Sequence, residues 1–355
     1  MDVLLFSANS DIAKGGIVTW TKAYLAECEQ NNIHCDIVNT VVIGRRAING
    51  TAKLSICDDM RRTLRIIKEE KRLLKSKKFD IVHFNTNIGK LGIIRDYFLA
   101  KKIYRRKVPL VVQVHCNLSK SVTNSIANIF AKKLFLLGTS IVVLNQSDQK
   151  FLEDKFSLKS EVIPNFIDES LIVSSKAIND TVKKIVFVGR VSKGKGAELF
   201  FSLAKIFSSI CFELIGEIDQ QFLGLERHQN LLLKGSMSHE EVIKELDEAD
   251  IFLFPSRSEG FSLALTEAMA RGLPIIATDV GANAEMIEGK GGIVVPVDDS
   301  KSIQDAIKEL MNPQIRMKMS KWNIDKVKTC YETKSVFASL IKLYNKLLGE
   351  KNDSL

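Results

Sequence analysis

The sequence predicts an α/β fold made of two Rossmann-like, doubly wound parallel-sheet units in tandem. Three observations carry that expectation. The chain has 355 residues, too many for one ordinary core and suited to two domains. Short, unbroken apolar runs are separated by helix-length amphipathic segments, the pattern of a parallel sheet covered on both faces. The same alternation starts a second time near the middle of the chain.

Residues 3–8 form the first apolar run and lead into a polar loop that ends at Gly15-Gly16. Apolar side chains recur at helical spacing over 17–30. Further strands are expected at 35–42, 81–84, 110–114 and 140–144, with helix-length stretches between them. Val162-Ile163-Pro164-Asn165 closes this unit and sets the first domain at 1–165. A polar stretch, 168–184, leads to a strand at 185–188, the turn Gly189-Arg190 and a helix from about 197. Strands at 212–215, 231–233, 251–254, 274–277 and 293–295 complete a second domain at 166–334. A last helical pattern, 335–348, lies beyond a separating stretch at 322–334, so the segment 335–355 is free to return to the first domain. Sheets of this kind bind ligands outside the carboxyl ends of their strands. Two such units are expected to face a common cleft there.

Composition narrows the class. The chain is 45% hydrophobic and 26% charged, ordinary for a globular protein. Met1 leads straight into the first apolar run with no basic leader, so no signal peptide is expected. The longest candidate for a membrane span, 134–144, is short and broken by Gly138, Thr139 and Ser140. Cys28, Cys35, Cys57, Cys116, Cys211 and Cys330 show no paired spacing, which suits reduced thiols in a cytoplasmic protein.

Charge is unevenly placed: residues 1–165 carry 27 Lys+Arg against 15 Asp+Glu, and residues 166–355 carry 24 against 27. A basic half suggests an anionic partner. Met60, Leu64, Ile67 and Leu74 are expected on one helical face, with Arg61, Arg65, Lys68, Lys71 and Lys75 largely elsewhere. Lys101-Lys102 and Arg105-Arg106-Lys107 form a second basic cluster. Such a surface suits peripheral contact with an anionic membrane, on its inner face in a cytoplasmic protein, or a lipid diphosphate. A solvated helix packed on a sheet explains it equally well.

The most informative stretch runs from Ser256 to Pro274 and follows the strand expected at 251–254. Ser262 is placed to cap a helix that Gly272 and Pro274 stop. The unsatisfied N–H groups of Phe261, Ser262, Leu263 and Ala264 then make a positive helix end suited to phosphate. Glu259 lies just before that end, with Gly260 after it. Glu267 lies one turn inside, its side chain leaning back toward the N-terminus. Two carboxylates thus border one ligand, and a carboxylate accepts hydrogen bonds from paired sugar hydroxyls. Either glutamate alone reads as a surface charge; together, after a buried strand, they favour a site.

A second patch is the glycine-rich basic loop Gly189-Arg190-Val191-Ser192-Lys193-Gly194-Lys195-Gly196. Arginine grips two phosphate oxygens at once, while lysine acts as a point charge. Fixed cations beside a departing diphosphate lower the barrier to its departure.

These motifs resemble those of family 4 retaining glycosyltransferases of the GT-B fold, over nearly the whole chain and in the family's order. Glu259 to Glu267 resembles its E-x7-E signature, and Gly189 to Gly196 its G-R-x4-K-G element. The resemblance implies that Glu259 contacts the donor sugar, that the amides from Gly260 to Leu263 hold sugar and diphosphate, and that Glu267 holds the ribose. It implies that Arg190 and Lys195 neutralise the diphosphate, that Gly15-Gly16 form the glycine loop near the donor phosphates, and that His115 lies near the reacting sugar. An ordinary polar strand end is the alternative for His115. His83 is also family-like and is expected to be structural, and Glu285, in Gly281-Ala282-Asn283-Ala284-Glu285-Met286-Ile287, to support the site. Gly216-Glu217-Ile218-Asp219 departs from the usual G-x-G, which leaves the base-side contacts open.

The resemblance implies a hexosyltransferase that retains configuration and uses a UDP- or GDP-type sugar donor and a glycan or lipid-linked glycan acceptor. The family makes surface polysaccharides, glycolipids and storage sugars with much the same signature; the soluble chain and its basic first half favour bacterial surface-glycan assembly. No cofactor and no metal are expected. Asp58-Asp59 and Asp298-Asp299 stand at expected helix starts, where acids cap. No enzyme nucleophile is evident, so front-face transfer is the expected route. A dinucleotide-dependent oxidoreductase would show G-x-G-x-x-G in a first loop, and neither first loop does. No nucleic-acid recognition motif accompanies the basic half. A silent sugar-nucleotide sensor would carry the same binding residues and differ only in turnover.

Overall fold

The computed structural model describes residues 1–11, 15–42, 56–88, 92–123 and 125–352. It divides into two compact units, Met1–Phe166 with Thr333–Leu355, and Ile167–Glu332.

The first unit alternates β1 (Asp2–Ser7), α1 (Gly16–Gln30), β2 (His34–Asn39), α2 (Ile56–Ser76), β3 (Ile81–Thr86), α3 (Gly92–Tyr104), β4 (Leu110–Val114), α4 (Leu118–Ser121), α5 (Ser125–Phe135), β5 (Ser140–Val143), α6 (Gln146–Phe156) and β6 (Glu161–Val162). Its strands pair in parallel in the order β2-β1-β3-β4-β5-β6. Val3, Leu4, Leu5 and Phe6 are fully buried. Leu4 and Phe6 join one core cluster, and Val3 and Leu5 the other. That two-sided burial is why the run is continuous rather than alternating.

Three local expectations change. The second strand ends at Asn39, not 42, because the Asn39 side-chain oxygen accepts from Val41 N at 3.0 Å and turns the chain off the ladder. On α2, Met60 and Leu64 are 61% and 64% exposed, whereas Ile66, Leu73 and Leu74 are buried. The cause lies in Arg62 and Arg65, which donate to the carbonyls of Asn39, Thr40 and Val41 and turn their own side of the helix toward the end of β2. Finally, β6 is a two-residue strand that no apolar run announces.

The second unit carries β7 (Lys184–Val188), α7 (Leu199–Ile206), β8 (Cys211–Ile215), β9 (Leu231–Gly235), α8 (His239–Glu248), β10 (Ile251–Phe254), α9 (Leu263–Ala270), β11 (Ile275–Thr278), α10 (Asn283–Ile287), β12 (Gly292–Val295), α11 (Ser300–Glu309) and α12 (Pro313–Cys330). The stretch expected to separate this unit from the last helix is instead mostly α12, capped by Asn312 and opened by Pro313. The strand order is β12-β11-β10-β7-β8-β9, all parallel. Connections therefore run one way from β7 through β8 and the other way from β10. The reversal between β7 and β10 is a topological switch point, where adjacent loops part and leave a ligand-binding crevice.

The last helix, α13 (Thr333–Asn352), belongs to the first unit. Its Tyr344 is fully buried and meets Tyr24 Oη at 2.9 Å and His83 Nδ1 at 2.5 Å. The chain of bonds continues from His83 Nε2 to Asn85 Oδ1 at 3.0 Å, then from Asn85 Nδ2 to Ser7 Oγ at 2.9 Å. Burial pulls the His83 pKa down to about 4. The ring is neutral at neutral pH, so Nε2–H donates to Asn85 and Nδ1 accepts from Tyr344. His83 therefore has a structural place in the core.

Candidate functional site

Both loops singled out in the second unit leave the sheet at its switch point: the Arg190 loop follows β7 and the Glu259 loop follows β10. Their backbones touch. Gly196 has φ +71°, and a Cβ there would lie 2.2 Å from Pro255 O, so only glycine fits this crossing. Arg257 ties the loops further, its N donating to Gly194 O at 3.0 Å and its guanidinium reaching Glu198 and Asp298, each at 2.5 Å.

Ser262 caps α9 with extended backbone, its Oγ accepting from Leu265 N at 3.2 Å. Leu263 and Ala264 stand in the first turn, where N–H groups have no partner within the helix. Phe261 is buried against Tyr331, ring centroids 5.3 Å apart, which fixes the approach to the helix. From the other side, Gly281 has φ +56° and approaches so closely that a Cβ would lie 2.3 Å from Glu259 O. Ala282 N donates to Gly260 O at 3.0 Å. The turn before α10, which holds Glu285 in its first turn, thus braces the Glu259 loop.

The side chains converge. Lys195 Nζ meets Glu259 Oε1 at 2.5 Å, with Glu259 only 11% exposed, and lies 5.5 Å from the centre of the Phe254 ring. Arg190 Nε donates to Asp219 Oδ1 at 2.8 Å. Glu267, one turn into α9, accepts from His239 Nε2 at 3.1 Å. His239 opens α8, whose cap is a reciprocal Ser238–Glu241 pair. The structure thus brings Lys195 and Glu259 into contact and places Arg190 and Glu267 on the same sheet end.

Sequence reasoning missed His239 and Arg257, and it named Asp219 only within a segment that left the base-side contacts open, not as the partner of Arg190. His239 stands 28 residues from Glu267 and Asp219 stands 29 from Arg190. No local pattern links residues that far apart.

The first unit holds the remaining predicted residues. Gly15 caps α1 with φ 147°, a conformation that favours glycine, and Gly16 is the first helical residue. His115 directly follows β4, its N donating to Thr86 O at 3.1 Å. Trp20 of α1 meets His115 edge-on at 5.4 Å. His115 Nε2 is buried with no hydrogen-bond partner among the described residues. Burial, with a smaller contribution from His83, lowers the His115 pKa to about 3. At neutral pH this ring is uncharged.

Two doubly wound parallel sheets place the chain in the GT-B structural class. The fold is shared with sucrose-phosphate synthase from Thermosynechococcus elongatus, at TM-score 0.80 and 16% identity over 98% of this chain and 99% of that one. It is also shared with HepE of Anabaena in complex with UDP and glucose, at TM-score 0.72 and 15% identity over 98% and 100%.

Residues 15–171 match the family described as Glycosyltransferase Family 4, and residues 168–326 the one described as Glycosyl transferases group 1. The two matches join without a gap, and the chain belongs to the group 1 glycosyltransferases. Among curated relatives, a protein of the Klebsiella pneumoniae cps region is 27% identical over 65% of this chain and 69% of its own. The Escherichia coli UDP-Gal:alpha-D-GlcNAc-diphosphoundecaprenol alpha-1,3-galactosyltransferase is 25% identical over 76% and 74%.

The Glu267 hydrogen bond raises the His239 pKa above the ordinary 6.5. The pair's stabilisation is complete below that ordinary value and is lost as pH rises through the elevated one. An NMR titration of His239 is therefore expected to show a midpoint above 6.5, and Glu267→Gln to bring it back down. A midpoint unmoved by that substitution contradicts the pairing.

Proposed function

We propose that this chain moves a hexose-type sugar from a UDP- or GDP-type donor to a glycan or lipid-linked glycan acceptor, with retention, in bacterial surface polysaccharide assembly. The observation that carries the donor site is the Lys195–Glu259 contact, 2.5 Å long and set immediately before the capped end of α9. It joins a cation suited to phosphate with a carboxylate suited to sugar hydroxyls, beside a helix end suited to anions. The relatives support the setting. Besides the galactosyltransferase above, they include a Staphylococcus aureus capsular polysaccharide glycosyltransferase and an Escherichia coli O-antigen glycosyltransferase.

In this reading Glu259 holds the sugar, while the amides from Gly260 to Leu263 hold sugar and phosphate. Arg190 and Lys195 take up the charge of the departing diphosphate, so the chemistry needs neither a metal nor a cofactor. Glu267 accepts from the ribose hydroxyls. Gly15, Gly16 and His115 join the same proposal by the resemblance of their motifs, with neutral His115 orienting the sugar. The anomeric C–O bond to the diphosphate breaks first. The acceptor hydroxyl then bonds to the same face of the sugar, and its proton passes to a leaving-phosphate oxygen. A covalent sugar–enzyme adduct, trapped on a slow substrate and seen by mass spectrometry, contradicts this route; unmodified protein throughout turnover is expected.

The acceptor side points to a lipid surface. Phe98 on α3 and Ile126 and Ile129 on α5 are 54%, 58% and 50% exposed around Phe130, which lies 5.6 Å from Tyr97. Lys101 and Lys133 lie over the Tyr97 and Phe130 rings at 5.7 and 5.6 Å. Apolar side chains fringed by cations suit the headgroup region of an anionic bilayer. Among the described residues no helix is long and apolar enough to cross a membrane. Co-sedimentation with phosphatidylglycerol vesicles is expected, weakened by salt and by Phe98→Ser with Ile129→Ser. Equal recovery with neutral vesicles, or none with either, contradicts the lipid contact.

Calorimetry with UDP, GDP, ADP and NAD tests the donor site. One nucleoside diphosphate is expected to bind, and Glu267→Ala to weaken it about ten- to hundredfold, the range for hydrogen bonds to a charged group. Binding of none of the diphosphates, an unchanged affinity in the variant, or preference for NAD contradicts the assignment.

A further inference from the structure

The segment Gly216-Glu217-Ile218-Asp219 departs from the usual family pattern, and the structure shows where its acids go. Past the end of β8, the chain keeps pairing with the loop that carries Arg190. Gly189 N donates to Ile215 O at 2.9 Å, Val191 N to Glu217 O at 2.8 Å, and Asp219 N to Val191 O at 3.0 Å. Gly216 makes this possible: with φ +143°, a Cβ there would lie 2.0 Å from Gly189 O. Asp219 precedes the short 3-10 turn Gln220–Phe222, but its side chain makes no capping bond there. Its carboxylate instead accepts from Arg190 Nε at 2.8 Å. Phe222, 2% exposed, anchors the turn behind it.

Arg190 is therefore gripped on one edge only. Its second terminal nitrogen is buried without a hydrogen-bond partner among the described residues. The carboxylate facing that nitrogen, Glu217 Oε1, stands at 3.6 Å, beyond hydrogen-bond length, on a side chain 51% exposed. A guanidinium held by Nε presents its other edge as a two-pronged donor, the geometry that fits two phosphate oxygens.

We infer that Asp219 is the positioning residue for Arg190, aiming its unpaired edge at the donor's diphosphate, and that Glu217 is a counter-charge which the diphosphate displaces. The inference rests on the donor-site reading above. The acids have opposite effects on binding. Asp219 orders the arginine before the ligand arrives, which lowers the cost of ordering it on binding. Glu217 competes with the ligand for the same nitrogen, weakly, because it is solvated and screened.

The test compares UDP with uridine, and GDP with guanosine in parallel, by calorimetry and ligand-observed NMR on the full chain. Asp219→Ala is expected to weaken the bound diphosphate about tenfold or more, as for loss of a charged hydrogen bond, and to leave the nucleoside within about twofold. Asp219→Asn keeps an acceptor oxygen and is expected to recover most of the loss. Glu217→Gln is expected to tighten the diphosphate by about two- to fivefold at low salt, the scale of an exposed ion pair. Equal losses for diphosphate and nucleoside in Asp219→Ala mean a general distortion and overturn the inference. So does a diphosphate affinity that neither Asp219→Ala nor Glu217→Gln changes. Failure of the wild type to bind either diphosphate, or indifference to Glu267→Ala, instead overturns the donor-site reading itself.

Discussion

Close approach of backbone to backbone at the carboxyl ends of β7, β8, β10 and β11 governs the second unit's site. At three crossings a Cβ would stand between 2.0 and 2.3 Å from a carbonyl oxygen: Gly216 against Gly189, Gly196 against Pro255, and Gly281 against Glu259. Each crossing requires glycine for space and for positive φ. Loops locked this way do not drift, so Arg190, Lys195 and Glu259 keep fixed origins even though their side chains are long. Preorganisation of this kind makes fixed charges effective against charge that develops during a reaction.

The resting electrostatics follow from that geometry. Lys195 is paired with Glu259 at 2.5 Å and Arg190 with Asp219 at 2.8 Å. Each cation proposed to meet a phosphate thus already has a carboxylate. Affinity for a diphosphate is then a difference, the new contact minus the one weakened. The two pairs differ in consequence. In the proposed donor site Glu259 turns to the ligand, so its release from Lys195 would be part of binding, whereas Asp219 would keep Arg190 by an edge that the ligand leaves alone. In the first unit polarity takes another form: a buried chain from Tyr24 through Tyr344, His83 and Asn85 to Ser7 ties the last helix to the sheet. Low-dielectric surroundings strengthen such a chain when every member is satisfied.

Much of this was legible in the sequence, for a physical reason. Parallel strands buried on both faces read as continuous apolar runs, so β1, β7 and β10 stand out plainly. The cap and stop of α9 are local chemistry, carried by Ser262, Gly272 and Pro274. Elements set by distant partners were not legible. The two-residue edge strand β6 has too little apolar surface to announce itself. The packed face of α2 is decided by Arg62 and Arg65 reaching carbonyls on β2 and beyond it, more than 20 residues away, and helical periodicity in Met60 and Leu64 points elsewhere. His239 and Asp219 acquire their places only when separate strand ends come together. A motif can reveal which residues carry charge, but the residues that hold them in place are found in space.

The most direct test of the account is hydrogen exchange of the full chain, read by mass spectrometry with and without UDP or GDP. The account predicts that the bound nucleotide slows exchange in peptides spanning 189–198 and 256–266, the loops on either side of the switch point, and that Lys195→Met abolishes most of that protection. Protection confined to other strand ends, or none at saturating nucleotide, would contradict the claim that these two loops form the donor site.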